Sequence, residues 1–194
     1  MKKLTWDILN DYCSKFGDSF YLLNSNAFSR NYDAFLAEFQ KIYKKTAIGY
    51  SYKTNYIPKL CKIINEKGAF AEVVSDMEYR LAIKVGVQPK NIIVNGPYKT
   101  KDQIETYLLN GSIVNLDSFY EVDFLTEIAK KHKKNTFPVG LRCNLDTKMK
   151  SKSRFGFDAF SKKFNAMLEK LRSHPNIKIH GIHCHYPERT LEAF

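Results

Sequence analysis

Short apolar runs alternate with amphipathic stretches along most of this chain. Six of the runs read as strands, at 46–51, 69–74, 91–94, 112–116, 137–142 and 177–183. Between them apolar residues recur at helical spacing: Ile57, Leu60, Ile63 and Ile64 within 55–66, Leu81, Ala82 and Val85 within 77–85, and Phe164, Met167, Leu168 and Leu171 within 160–171. Strands alternating with helices in this way predict βα units and a parallel α/β sheet. Ahead of them, 4–16 has a helical pattern that Gly17 can cap, and Phe20-Tyr21-Leu22-Leu23 reads as a short strand outside the main count. The stretch 29–43 is then amphipathic, with Phe35, Leu36, Phe39, Ile42 and Tyr43 available to face a core.

Two features favour a barrel over an open doubly wound sheet. No glycine-rich turn follows the first strand to cradle a pyrophosphate, and the strand ends in Lys53 instead. The polar residues of interest also fall at or just past strand C-terminal ends, where a (β/α)8 barrel gathers its active site. The pattern therefore predicts one domain over 1–194. Residues 1–45 form a lead-in of helix, strand and helix, and 46–194 form units one to six of an incomplete TIM barrel, with Thr190 to Phe194 starting a further helix.

The net charge of +11 raises nucleic acid as a partner, with Lys130-Lys131-His132-Lys133-Lys134 as the densest basic run. That run follows an apolar-periodic stretch through Val122, Leu125, Ile128 and Ala129, so its lysines read as the cations of a helix C-terminus. The other lysines are spread without a nucleic-acid-binding motif, so no nucleic-acid partner is expected. Cys13, Cys61, Cys143 and Cys184 form no CxxC pair, which argues against a zinc ribbon or a disulfide framework. The start has no apolar segment behind its lysines and no later run spans a bilayer, so the expected location is the cytoplasm, with no membrane partner.

Lys53 closes an apolar strand with an amine that, if partly dehydrated, can attack a carbonyl; a merely solvated lysine is the plain alternative. Strict alternation through His180-Gly181-Ile182-His183-Cys184-His185 puts His183 and His185 on one face, with His180 and Cys184 on the other. Two histidines without a nearby acidic ligand make an incomplete zinc site, so no metal is expected. For His183, core packing with a hydrogen-bond partner and a part in chemistry both remain open. Asn95-Gly96-Pro97-Tyr98-Lys99 reads as a turn. Lys148, Lys150, Lys152 and Arg154 lie beyond the fifth strand, as a solvated loop or as cations for an anionic ligand. Glu72 and Arg142 lie at the expected barrel mouth, either as a structural ion pair or as site residues.

With these residues in view, and Ser75 beside them, the chain resembles the fold-type III pyridoxal-phosphate enzymes, in particular the diaminopimelate and ornithine decarboxylase group with its alanine racemase-like barrel. Tyr50-Ser51-Tyr52-Lys53-Thr54-Asn55 is similar to the family's YAVKAN, Ala71-Glu72-Val73-Val74-Ser75 to its ADVVS, and Asn115-Leu116-Asp117-Ser118 to its NVDS. Leu141-Arg142-Cys143-Asn144 resembles LRVN, Ser153-Arg154-Phe155-Gly156 resembles SKFG, and Gly181-Ile182-His183-Cys184-His185 resembles GLHCH; Phe20 to Leu23 looks like the opening strand.

The resemblance implies pyridoxal 5'-phosphate as cofactor, bound by Lys53 as a Schiff base, with His185 stacked on its ring and Glu72 and Arg142 lining the same pocket. It implies decarboxylation of a small amino acid, with the ring as electron sink, and a homodimer for the full-length family. Some positions depart from the pattern. Glu72 stands where aspartate is usual, Asp76 and Met77 replace paired glycines, and Tyr186-Pro187-Glu188-Arg189 replaces an IGS segment whose serine holds the phosphate. The family's glycine-rich phosphate loop, its ring-nitrogen glutamate and its C-terminal β-domain are not in the 194 residues. The expectation is therefore a truncated decarboxylase with impaired turnover. A racemase of the same fold and a non-catalytic pyridoxal-phosphate-binding pseudoenzyme are the alternatives.

Overall fold

The computed structural model describes residues 4–144 and 153–185. Its helices start where the sequence supplies caps. Thr5 Oγ1 accepts from the Ile8 amide before α1 (Trp6–Phe16), and Asn24 Oδ1 accepts from the Ala27 amide before α2 (Ser25–Ile42). The sheet begins with β1 (Gly49–Ser51), followed by α3 (Pro58–Glu66), β2 (Phe70–Val73) and α4 (Asp76–Lys84). Pro58 opens α3 where its missing N–H costs nothing, and Gly68, at φ +81°, turns the chain from α3 into β2. Then come β3 (Ile92–Val94), α5 (Lys101–Leu109), β4 (Ile113–Leu116), α6 (Phe119–Lys131) and β5 (Phe137–Asn144). Thr100 and Gln103 close a capping box on α5. The last described elements are β6 (Phe157–Asp158), α7 (Lys162–Arg172) and β7 (Ile177–His183).

Every strand pairing is parallel, in the order β1-β2-β3-β4-β5, with β7 continuing beyond β5. These six strands are the six read from the apolar runs. The short β6 was not anticipated; it pairs Phe157 and Asp158 with Cys143 and Asn144 at the C-terminal end of β5. One side of the sheet packs on the helices through Val73, Val94, Val114, Leu116, Val139 and Leu141, against Ala82, Ile104, Leu125 and Ile128. The helix-facing core is apolar, with Tyr52, Tyr79, Tyr107, Phe137 and Phe157 buried among the aliphatic residues, as expected of a parallel sheet under helices.

Two expectations for the lead-in fail. Phe20 to Leu23 form no strand, because no neighbouring strand among the described residues lies beside them to take their backbone hydrogen bonds; Tyr21 is fully exposed. On α2, Phe28, Tyr32 and Leu36 are the stripe that meets Ile64 and Ala69, whereas Phe35, Phe39, Ile42 and Tyr43 point outward. Spacing alone allowed either stripe, and the position of α3 selected one. The basic run at the end of α6 is tied to its neighbour, since Lys131 and His132 both reach Glu105 of α5, at 2.7 and 2.5 Å. Among the described residues the four cysteines are free, and no helix is long and apolar enough to cross a membrane.

Candidate functional site

Alternation along the paired strands sends Ser51, Glu72, Ile93, Ile113 and Arg142 away from the helices, and the polar groups among them meet at the C-terminal end of the sheet. There an open cleft of about 860 Å³ is lined by Lys53, Glu72, Asn95, Arg142, Arg154, Phe155, His183 and His185, among others.

Lys53 is delivered by a tight turn. The Thr54 amide and Thr54 Oγ1 both donate to the Ser51 carbonyl, at 3.2 and 2.8 Å, and the Tyr52 amide donates to the Glu72 carbonyl at 2.9 Å. Tyr52 is almost wholly buried on the helix side, which leaves Lys53 on the cleft side. The lysine is exposed rather than dehydrated, because the cleft is open around it. It has no ion-pair partner among the described residues.

Glu72 is held from below. Asn95 Nδ2 donates to Glu72 Oε1 at 3.0 Å, and Asn115 Nδ2 donates to Asn95 Oδ1. A carboxylate can only accept, so its charge sets the direction of both amides. The relay ends at Gly140, where an added Cβ would overlap Asn115 Oδ1; only glycine leaves the amide its place.

Arg142 does not pair with Glu72. Its Nη1 meets Asp117 Oδ2 at 2.6 Å, and Asp117 Oδ1 accepts from the Gly156 amide at 3.2 Å. The Asp117 amide in turn donates to Glu121 Oε2 at 2.7 Å, and Glu121 Oε1 lies 3.0 Å from Lys99 Nζ. Lys99 also donates to the Gly96 carbonyl. Burial pushes the Lys99 ammonium down and the Glu121 carboxyl up, each partly offset by the other's charge. Phe155 lies against Arg142 and Arg154, whose guanidinium carbons are 5.0 and 4.8 Å from the ring centre.

The two histidines reach the cleft through an irregularity. Val139 pairs with Ile179 but Gly140 pairs with Gly181, so β7 carries one extra residue, His180. Ile177 is buried among helix-facing residues, and strict alternation from it would put His183 and His185 on that same side. The bulge reverses the parity. His183 then stands beside Arg142, and Ile182 is left facing outward, 73% exposed. Burial first, and then the charge of Arg142, hold the His183 imidazole below its ordinary value. Its Nδ1 is buried without a hydrogen-bond partner among the described residues.

All four residues singled out from the sequence, Lys53, Glu72, Arg142 and His185, therefore line one cleft. Ser75 does not join them; it caps α4, accepting from the Glu78 amide at 3.3 Å. Lys148, Lys150 and Lys152, and the segment 186–189, lie outside the described residues. Sequence reasoning missed the Asn95 and Asn115 relay, and it missed the chain from Lys99 through Glu121 and Asp117 to Arg142. The signal that could have found Asn95, Asn115 and Asp117 is the one that marked Lys53, a polar side chain at the C-terminal end of an apolar strand. Among the described residues no group of three or more His, Cys, Asp or Glu side chains is arranged to hold a metal ion.

Comparison with known proteins gives the site a context. Residues 28–187 match the family described as "Pyridoxal-dependent decarboxylase, pyridoxal binding domain". The chain is 31% identical over 195 aligned residues to the diaminopimelate decarboxylase of Aquifex aeolicus, covering 95% of this chain and 44% of that one. It is 29% identical over 176 residues to a probable chloroplastic diaminopimelate decarboxylase of Oryza sativa, covering 86% of this chain and 35% of that one. The crystal structure of the diaminopimelate decarboxylase of Methanocaldococcus jannaschii in complex with L-lysine superposes with a TM-score of 0.81 at 26% identity, over 90% of this chain and 43% of that one. The chain thus spans less than half the length of the relatives it matches.

Proposed function

The chain belongs to the pyridoxal-dependent decarboxylase family, through its pyridoxal-binding domain, and on that premise we propose that it carries the cofactor-holding half of a decarboxylase acting on a small amino acid of the diaminopimelate type. The cofactor of this family is pyridoxal 5'-phosphate. The observation that carries the reading is the convergence of a lysine amine, unpaired among the described residues, two imidazoles, a carboxylate and two guanidinium groups on one cleft. That donor set fits the cofactor. Lysine suits its carbonyl carbon, cations suit its phosphate, and flat rings suit its heteroaromatic face.

Bound there, pyridoxal 5'-phosphate supplies an electron sink for the pair left on carbon when a carboxylate departs. Lys53 would hold it by its amine, which no acidic side chain among the described residues engages. His185, just past β7 at the cleft mouth, would offer the stacking ring. Arg142, locked by Asp117, keeps a positive charge at a constant place in the cleft, and Glu72, locked by Asn95, keeps a negative one. A cytoplasmic homodimer with 46–194 as its barrel portion is part of the same reading.

The test is incubation with pyridoxal 5'-phosphate, reduction with borohydride and peptide mapping, alongside carbon dioxide release from meso-diaminopimelate, lysine, ornithine and arginine. The label is expected on Lys53, absent from Lys53→Ala, with release fastest from meso-diaminopimelate. A label on any other lysine sinks the assignment.

A further inference from the structure

Behind the cleft wall, four side chains of alternating charge follow one another. Arg142 Nη1 meets Asp117 Oδ2 at 2.6 Å, the Asp117 amide donates to Glu121 Oε2 at 2.7 Å, and Glu121 Oε1 stands 3.0 Å from Lys99 Nζ. The Asp117, Glu121 and Lys99 side chains are 6%, 0% and 2% exposed, and of the four Arg142 alone lines the cleft. Burying such charges is a poor route to stability, because apolar residues of the same shape do as well or better. What apolar residues cannot do is fix the place of a guanidinium. Asp117 is suited to that task, since its Oδ1 accepts from the Gly156 amide at 3.2 Å and its own amide is held by Glu121, which leaves its carboxylate one orientation. Asp117 is also the one hydrogen-bond partner of the Arg142 side chain among the described residues. The other guanidinium N–H groups have no acceptor there, although the side chain is only 11% exposed.

We propose that Asp117 and, behind it, Glu121 are positioning residues: Asp117 aims the Arg142 guanidinium so that its free N–H groups meet an anionic group bound in the cleft, and Glu121 holds Asp117 in place by its amide. An arginine fixed in this way gives up little side-chain freedom when an anion arrives, whereas an untethered one must be ordered at that moment. The anion belongs either to the cofactor or to a substrate carboxylate, and guanidinium chemistry suits both. Lys99 supplies the counter-charge that keeps Glu121 in the interior and takes no direct part. The inference rests on the functional reading above.

Two titrations separate the anions: equilibrium dialysis with pyridoxal 5'-phosphate, and absorbance of the cofactor-loaded protein on addition of meso-diaminopimelate. An asparagine has one oxygen where Asp117 uses two, so Asp117→Asn leaves either Arg142 or the Gly156 amide without its acceptor. It should weaken at least one of the two titrations about tenfold. In an Arg142→Met background the same substitution should change neither by more than about twofold, because its effect passes through the guanidinium. Glu121 is tested with Lys99→Met present, so that no charge is stranded. There Glu121→Gln keeps an oxygen for the Asp117 amide and should stay within about threefold of wild type, whereas Glu121→Met removes it and should lose about as much as Asp117→Asn. A merely structural network would cost each variant stability in urea without making the loss of affinity conditional on Arg142. No loss in Asp117→Asn, a loss that persists with Arg142→Met, or equal affinities for the Glu121→Gln and Glu121→Met forms would overturn the positioning role while Lys53 still labels. Failure of the wild type to label at Lys53 after borohydride reduction would overturn the functional reading and this inference together.

Discussion

Replacing Glu121 by glutamine isolates a charge in the interior. Glu121 is fully buried, its partner Lys99 is 2% exposed, and their charged atoms are 3.0 Å apart. The substituted amide keeps the shape and an oxygen for the Asp117 amide, so the backbone under Arg142 stays tied. What changes is that Lys99 loses its counter-charge while the Gly96 carbonyl still holds it in place. Stranding one member of a buried pair costs about 3–5 kcal/mol, a large part of a domain's total of about 5–15 kcal/mol. With a urea dependence of about 2 kcal/mol per molar, the unfolding midpoint should fall by about 1.5–2.5 M. Lys99→Met combined with Glu121→Gln removes both charges and should recover most of the loss, because a neutral buried pair has no charge to desolvate. The deficit of the single variant also depends on pH. Burial already lowers the Lys99 pKa, and without Glu121 it falls further, so between that value and the ordinary lysine value the unfolded chain binds more protons than the folded one. Stability of the variant then rises with pH through that window, and its deficit against wild type narrows from about pH 7 towards about pH 9.5. Urea titrations of both variants at the two pH values check this. A single-variant loss under about 1 kcal/mol, or a double variant no better than the single, would refute the claim that Lys99 is held as a buried cation.

Deleting His180 removes the extra residue of β7 and should leave His183 opposite Arg142 and His185 in the cleft, because Gly181, Ile182 and His183 then follow Ile179 in regular pairing with β5; cofactor binding measured by dialysis should stay within about tenfold of wild type, and a larger loss would refute this register. Gly140→Ala drives a methyl into Asn115 Oδ1 and should cost about 1–3 kcal/mol in urea unfolding, with Asn115→Ala in the same chain relieving much of it. The lowered His183 pKa means that, below the ordinary histidine value, the folded state binds fewer protons than the unfolded one. The stability His183 contributes is therefore full above that value and lost as pH falls through its folded pKa, and His183→Asn should flatten that acid limb in unfolding measured from about pH 7 to about pH 5.

Much of this was legible in one dimension. The apolar runs marked six parallel strands within a few residues of their ends, since a strand covered by helices must be apolar whatever its neighbours are. Lys53, Glu72, Arg142 and His185 were legible because a polar side chain at the end of such a strand is conspicuous. Pairing was not. Arg142 bonds Asp117 rather than Glu72 because β4 lies beside β5 while β2 lies two strands further off, and strand order is not written in either segment. Lys99 read as part of a turn, and its burial against Glu121 depends on α6 closing over it. Phe20 to Leu23 had strand-like residues but no edge to join, and α2 had two apolar stripes of which packing used one. The largest difference came from a single residue. Alternation grouped His183 with His185, but the face they share is set by counting across β5, where His180 drops out of register. Local chemistry thus specified which side chains could serve a site, and the sheet's pairing specified which of them meet, because side-chain direction in a strand is defined only relative to the neighbour that holds it.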